Sequence, residues 1–308
     1  MAETPRPDPS MPDPSVIGGV AEAPFALPPS ALPLFQSRAK RFAFLAGTSE
    51  LKPYLDFLAA LSRLQARLVA QLPPVEPLPE ARLAQARTAQ MPPIDRGVLA
   101  GDPALHEILA LLAEDAAGLE MPGPARLALE AVRAADASDR GWLLGNILSD
   151  TIPEDSAAPH LFAASAAQVH MARLAGTLAG GDLVPIGPGL CPACGGRPVT
   201  SSVRGEQGVE NVRYATCACC ATNWNEVRVK CLCCGSTKGI AYRSAETHDA
   251  SVKAECCTEC GAWVKILYQV KNPTLDPVAD DVGSLGLDLM MKETRFRRAG
   301  FNPFLAGY

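Results

Sequence analysis

The stretch that decides the fold reads CPACGGRPV at residues 191–199, RYATCACCATNWNEVRVKCLCCG at 213–235 and KAECCTECGAWVKILYQ at 253–269. All eleven cysteines of the 308-residue chain fall between Cys191 and Cys260. Eight of them form four Cys-x-x-Cys pairs: Cys191/Cys194, Cys217/Cys220, Cys231/Cys234 and Cys257/Cys260. Twenty-two residues separate the first pair from the second, and another 22 the third from the fourth, so each cysteine recurs 40 positions later. Gly195 and Gly235 obey the same offset, which marks an internal duplication of a four-cysteine unit.

Two turns that each offer two thiolates reach the corners of a tetrahedron, with metal–sulfur distances of ~2.3 Å. The glycine after the second cysteine permits a positive φ angle, which lets the turn aim backbone N–H groups at sulfur. Gly195, Gly235 and Gly261 fit this pattern, and Ala221 departs from it. A unit of 40 residues buries too little surface to stand alone, so metal binding has to contribute to its folding. The expectation is two sequential metal sites, one at Cys191, Cys194, Cys217 and Cys220, the other at Cys231, Cys234, Cys257 and Cys260. Each ribbon should depend on its metal while the helical part stands independently. Four thiolates suit zinc and mononuclear iron alike, and spacing alone favours zinc. Cys219, Cys233 and Cys256 are read as filler, and His106, His160, His170 and His248 as packing or surface residues.

Working outward, residues 34–185 carry apolar residues at helical spacing, best seen in Leu51, Leu55, Leu58, Leu61, Leu64, Leu68 and Leu72. Proline and glycine breaks divide this part into six or seven helices, with Asp102 capping one of them. An alanine-rich helix over about 159–178 should be central. Residues 1–33 contain nine prolines and read as a tail, pinned to the body by Phe25, Leu27 and Leu32. Residues 186–229 and 230–272 are the two ribbons, and 273–308 a C-terminal helix and tail. The expected fold class is thus a mostly helical N-terminal domain, two tandem rubredoxin-like or zinc-ribbon modules, and a C-terminal helix.

Net charge is −5, and no apolar run is long enough to span a bilayer, so neither nucleic acid nor stable membrane insertion is expected. The N-terminus lacks the pattern of a secretory signal, which points to the cytoplasm. Residues 186–271 hold ten Lys/Arg against seven Asp/Glu, a formal +3 that two four-thiolate sites with divalent metals turn into −1. Nucleic-acid binding by the ribbons, or a general protein-docking role, is the alternative reading. No phosphate loop, nucleophile elbow or open metal site is present, so the chain is not expected to be an enzyme.

These cysteine segments, together with VADDVGSLGLDLMM at 278–291, NPF at 302–304 and the alanine-rich helix around Gln168-Val169-His170, resemble the FdhE family of formate dehydrogenase accessory proteins. The resemblance covers nearly all of the chain beyond the proline-rich tail. It implies a cytoplasmic protein that assists assembly of respiratory formate dehydrogenase by binding its catalytic subunit, without oxidising formate itself. It also implies rubredoxin-like iron, which moves the metal preference to two iron ions, one per site, with zinc as the alternative. Asp280 and Asp281 match an aspartate pair of the family, which implies a partner-binding role for them. Adjacent residues on a helix point apart, so capping at a helix N-terminus is their plainer reading.

Overall fold

The computed structural model describes residues 23–245 and 250–306. Most of the stretch read as a tail, residues 1–22, lies outside the described residues, as does His248. Eight α-helices form the N-terminal half: α1 (Ala31–Ala46), α2 (Lys52–Gln71), α3 (Glu80–Ala89), α4 (Arg96–Leu99), α5 (Pro103–Ala116), α6 (Gly123–Ala134), α7 (Ala137–Leu148) and α8 (Ala157–Ala175). The leucine stripe forms the core face of α2, where Leu55, Leu58, Leu61, Leu64 and Leu68 are buried. Each buried leucine contributes roughly 2 kcal/mol of apolar transfer free energy. Asp102 caps α5 by accepting from the N–H of Ala104 at 2.7 Å, and Pro103 takes the first helical position, where its missing N–H costs nothing.

α8 is the axis of this half. Every residue from His160 to Ala172 is buried, its few polar side chains included, and α1, α2, α5, α6 and α7 pack around it. Its alanines allow that crowding. The helix ends at Ala175 with Gly176 as its cap residue, short of the expected end near 178.

The strands are β1 (Ala26–Leu27), β2 (Pro198–Glu206), β3 (Val209–Cys217), β4 (Asn223–Glu226), β5 (Ile240–Arg243), β6 (Val252–Cys257), β7 (Ala262–Tyr268) and β8 (Arg297–Arg298). The 40-residue offset maps β2 onto β5, β3 onto β6 and β4 onto β7. The two tandem four-cysteine units expected from the spacing are both present, and their strands join. They merge into one sheet of order β1-β4-β3-β2-β7-β6-β5, with β8 beside β7. The seam is a parallel pairing of β2 with β7, in register Ser201 to Ile266 and Val203 to Tyr268. Pairing backbone groups across the seam removes two exposed edges that isolated ribbons would carry.

The proline-rich start is part of the fold from Ala23 onward. β1 pairs antiparallel with β4, Ala26 opposite Trp224, and α1 begins at Ala31, inside the stretch assigned to the tail. The expected C-terminal helix is two short ones, α9 (Ala279–Gly283) and α10 (Leu285–Lys292), which meet at Ser284. α10 covers one face of the second copy, where Leu287, Met291 and Phe296 pack on Ala254, Cys256 and Trp263.

The helical part and the first cysteine unit share a single apolar core. Cys191, Cys194, Cys217 and Cys220 belong to the same cluster as Leu109, Phe162 and Val169. The helical part and the first cysteine unit are therefore packed directly on one another. None of Cys231, Cys234, Cys257 and Cys260 belongs to either apolar cluster of the described residues.

Candidate metal centres

Each centre is built from two turns at strand ends. In the first, the N–H of Gly195 donates to the carbonyl of Cys191 at 2.7 Å, which closes one turn; Cys217 and Cys220 lie in the turn between β3 and β4. The second repeats this with Gly235 to Cys231 and Gly261 to Cys257, both at 3.0 Å. The residue after each pair has a positive φ: Gly195 73°, Ala221 60°, Gly235 74° and Gly261 69°. Ala221 therefore adopts the turn geometry in spite of its Cβ, and the substitution leaves the turn unchanged.

The sulfurs converge as the spacing required. Cys191 and Cys220, and Cys194 and Cys217, stand 3.5 Å apart; Cys231 and Cys260 are 3.7 Å apart, Cys234 and Cys257 3.8 Å. Within each set all four sulfurs lie within 4.8 Å of one another. A tetrahedron with metal–sulfur bonds of ~2.3 Å has edges of ~3.8 Å, so both sets fit a single ion held by four thiolates. Backbone N–H groups of Cys219 and Cys220 donate to Cys217 Sγ, and that of Cys233 donates to Cys231 Sγ, which spreads sulfur charge into the turn.

Burial pushes the Cys191 and Cys220 thiols well above the ordinary thiol range. Cys217 is driven below it against the same burial, by hydrogen bonds from Cys191, Cys194 and Cys220 and by the nearby Arg96 charge. Sulfurs so crowded and desolvated favour a bound cation, which lets all four be thiolates at once. The donor set, its distances and its closure on all four corners fit zinc or mononuclear iron, with no corner left for substrate.

Sequence reasoning missed the shell around the first centre, because it is assembled from four distant segments. Arg96, at the start of α4, forms a bidentate pair with Asp150 at 2.7 and 2.9 Å and donates to the Ile147 carbonyl at 3.0 Å. Asp150 in turn accepts from the N–H of Arg197 at 2.9 Å, two residues beyond the first knuckle glycine. A Cβ on Gly196 would meet Arg96 Nη1 at 2.6 Å and Cys217 Sγ at 3.3 Å, so a side-chain-free residue is required where the guanidinium crosses the centre. The N–H of Ile94 donates to the Ala193 carbonyl at 3.1 Å, and Gln168 of α8 donates to the Ala218 carbonyl at 3.0 Å. In the sequence Arg96 is one charged residue beside Asp95 in a loop-like stretch, with nothing local that ties it to the cysteines.

Of the remaining cysteines, Cys219 and Cys256 are buried and Cys233 is exposed. His106 meets the Ala100 carbonyl, and His160 the Ser156 carbonyl and Asn146, so these imidazoles are structural. His170 lies buried on α8, 3.8 Å from Asp102.

Asp280 and Asp281 cap nothing by their side chains at the start of α9; both are buried ion-pair partners. Arg41 of α1 clasps Asp280 at 2.7 to 3.1 Å, and the Asp276 N–H donates to the same carboxylate. Asp281 is fully buried between Lys265 of β7, Arg298 of β8 and Asn302. Both bind α9 to the rest of the fold. Asp280 also borders a cavity of about 340 Å³ lined by Arg41, Leu45 and Ser284, whereas Asp281 is sealed. No helix among the described residues is long and apolar enough to cross a membrane.

Known proteins resemble this chain in sequence and in fold. Models for the FdhE N-terminal, central and C-terminal domains match residues 23–188, 190–228 and 229–305. An FdhE homolog of Rhizobium meliloti is 57% identical over 302 residues, covering 97% of this chain and 99% of its own. One from Cronobacter sakazakii is 36% identical, covering 91% of each. The crystal structure of the FdhE protein from Pseudomonas aeruginosa superposes with a TM-score of 0.81 at 31% identity, covering 92% of this chain and 99% of that one. With the helical half, the fused cysteine units and the C-terminal helices all matched in sequence and in space, the chain belongs to the FdhE family.

Proposed function

We propose that the chain is an accessory protein for assembly of respiratory formate dehydrogenase, acting in the cytoplasm on the enzyme's catalytic subunit and not oxidising formate itself. The observation that carries this reading is the closure of both four-cysteine centres in a member of the FdhE family. A centre whose four corners are all protein sulfur organises a surface or moves an electron; it does not bind substrate. Each centre holds one metal ion, iron by preference and zinc as the alternative, through Cys191, Cys194, Cys217 and Cys220 and through Cys231, Cys234, Cys257 and Cys260. Iron in four thiolates adds electron transfer to docking.

Asp280 and Asp281 serve docking by fixing α9 against α1 and the sheet, not by touching the partner through their engaged carboxylates. Ala at both positions should weaken partner binding without releasing metal. Residues 34–185, the cysteine units at 186–229 and 230–272, and 273–308 act as one body around this surface.

The test is a pull-down of the catalytic subunit from a strain lacking the protein, with formate dehydrogenase activity staining and metal analysis of the purified chain. Rescue of activity with capture of the subunit supports the assignment. Full activity in the unrescued strain, or tight nucleic-acid binding with no affinity for the subunit, refutes it. A visible band that bleaches reversibly on reduction assigns iron with a redox role, and a colourless two-metal protein assigns zinc.

A further inference from the structure

The two centres share a sulfur geometry and differ in their surroundings. All four sulfur-bearing residues of the first are buried within the main core, under α4, α8 and the Arg96–Asp150 pair. In the second, Cys231 and Cys257 are buried, but Cys234 is exposed and Cys260 half-buried. Its ligands lie outside both apolar clusters, at the far end of the sheet from β1.

We propose that the centres divide the work: the first is a permanent structural clamp, and the second is an exchangeable site that releases and reloads its metal while the protein stays folded. This rests on the reading that both centres bind metal.

The physical argument concerns access. A four-thiolate site loses its ion when a competing ligand or a proton reaches a sulfur, after which metal–sulfur bonds break one at a time. No electron moves: each bond to an incoming thiolate, carboxylate or chelator replaces one to cysteine, and the freed sulfur takes up a proton. At the second centre Cys234 is open to that ligand without movement of the backbone. At the first, attack must wait until the helical part separates from the knuckles, which means opening the core.

Charge acts in the same direction. Four thiolates around a divalent ion carry a net −2, which is costly in a buried setting unless a cation lies beside it. Arg96 is that cation. Its guanidinium is fixed by Asp150 and Ile147 and lies beside Gly196, on the side of the centre that carries Cys217. The exposed centre has solvent to perform that task, at the expense of protection. The duplication thus yielded one copy that the helical half enclosed and one that it left at the rim.

The experiment uses the full chain loaded with zinc and mixed with a coloured zinc chelator in excess. Two equivalents should leave in two phases of one equivalent each, the fast one at least about tenfold quicker, the scale on which outer-shell partners alter metal affinity. Cys234→Ser should remove the fast phase and keep the slow one, and Arg96→Gln should quicken only the slow one. On the unaltered protein, alkylation mapped by mass spectrometry should mark Cys234 and Cys260 along with the fast phase, and Cys191, Cys194, Cys217 and Cys220 only with the slow. Release of both equivalents in one phase, or alkylation of the first set before the second, overturns the division while leaving two bound metals. A stoichiometry below two overturns the metal reading itself.

Discussion

Gln168 Nε2 donates to the carbonyl of Ala218 at 3.0 Å, which ties the middle of the buried helix α8 to the turn that carries Cys217 and Cys220. The Gln168 side-chain oxygen accepts in turn from Arg38 and Gln65, at 3.4 and 3.3 Å, and Arg38 pairs with Asp276 just before α9. One amide therefore joins three parts of the chain through groups that water does not reach.

Gln168→Leu leaves the Ala218 carbonyl unpaired in the core, and such a loss costs ~1 to 3 kcal/mol. The melting temperature should fall, and the slow metal should leave faster. An unchanged melting curve would show the bond to be dispensable.

Asp281→Asn should be among the most damaging polar substitutions, because it leaves Lys265 and Arg298 short of a buried counter-charge. Breaking one partner of a buried pair typically costs ~3 to 5 kcal/mol. Chemical denaturation measures it.

The same site sets an acid limit. Burial works to raise the Asp281 pKa, but the charges of Arg298 and Lys265 prevail and hold it below the ordinary carboxylate value. A depressed carboxylate adds stability that is complete above its unfolded pKa of ~3.9 and is lost as pH falls through the lower folded value. Burial, in contrast, raises Asp280 against the pull of Arg41, so its contribution is greatest in acid and declines as pH rises through its folded pKa. Stability against pH should therefore show a steep acid arm that flattens in Asp281→Asn and persists in Asp280→Asn.

Ala221 occupies a left-handed position at φ 60°. Ala221→Gly should keep the first centre intact, while Ala221→Val should lose metal there, since a β-branched residue fits that region poorly. Metal counts on the two purified variants decide it.

Chelation of both metals should lower the stability of the helices as well as the sheet, because the first set of cysteines shares their core. Helical circular dichroism that melts identically with and without metal would contradict that shared core.

Much of this was legible in the sequence because it is local. Cysteine spacing, the leucine stripe of α2 and the Asp102 cap each lie within one repeat, one helix or one turn. The fusion of the two units was not, since the β2–β7 pairing joins residues such as Ser202 and Leu267 that carry no mutual signal. The roles of Arg96 and Asp281 were hidden for the same reason: each depends on charges brought together from distant segments. The strand β1 was obscured by the prolines that flank it, Pro24, Pro28 and Pro29, which suit the ends of an edge strand as well as a tail.

The seam between the copies runs head to tail, first strand of one against last strand of the other, and such a junction can repeat without end. By the 40-residue offset, the outer edge of β4 is equivalent to the edge of β7 that receives β2, and the outer edge of β5 to the edge of β2 that receives β7. Two molecules could stack β5 on β4 by the same parallel register, then a third, and grow a fibre. Ala26 and Leu27 occupy the β4 edge from within the same chain, so that part of the edge is not open to a second molecule. The two-residue strand at the start of the described fold thus covers the one edge at which the seam's own geometry could be repeated.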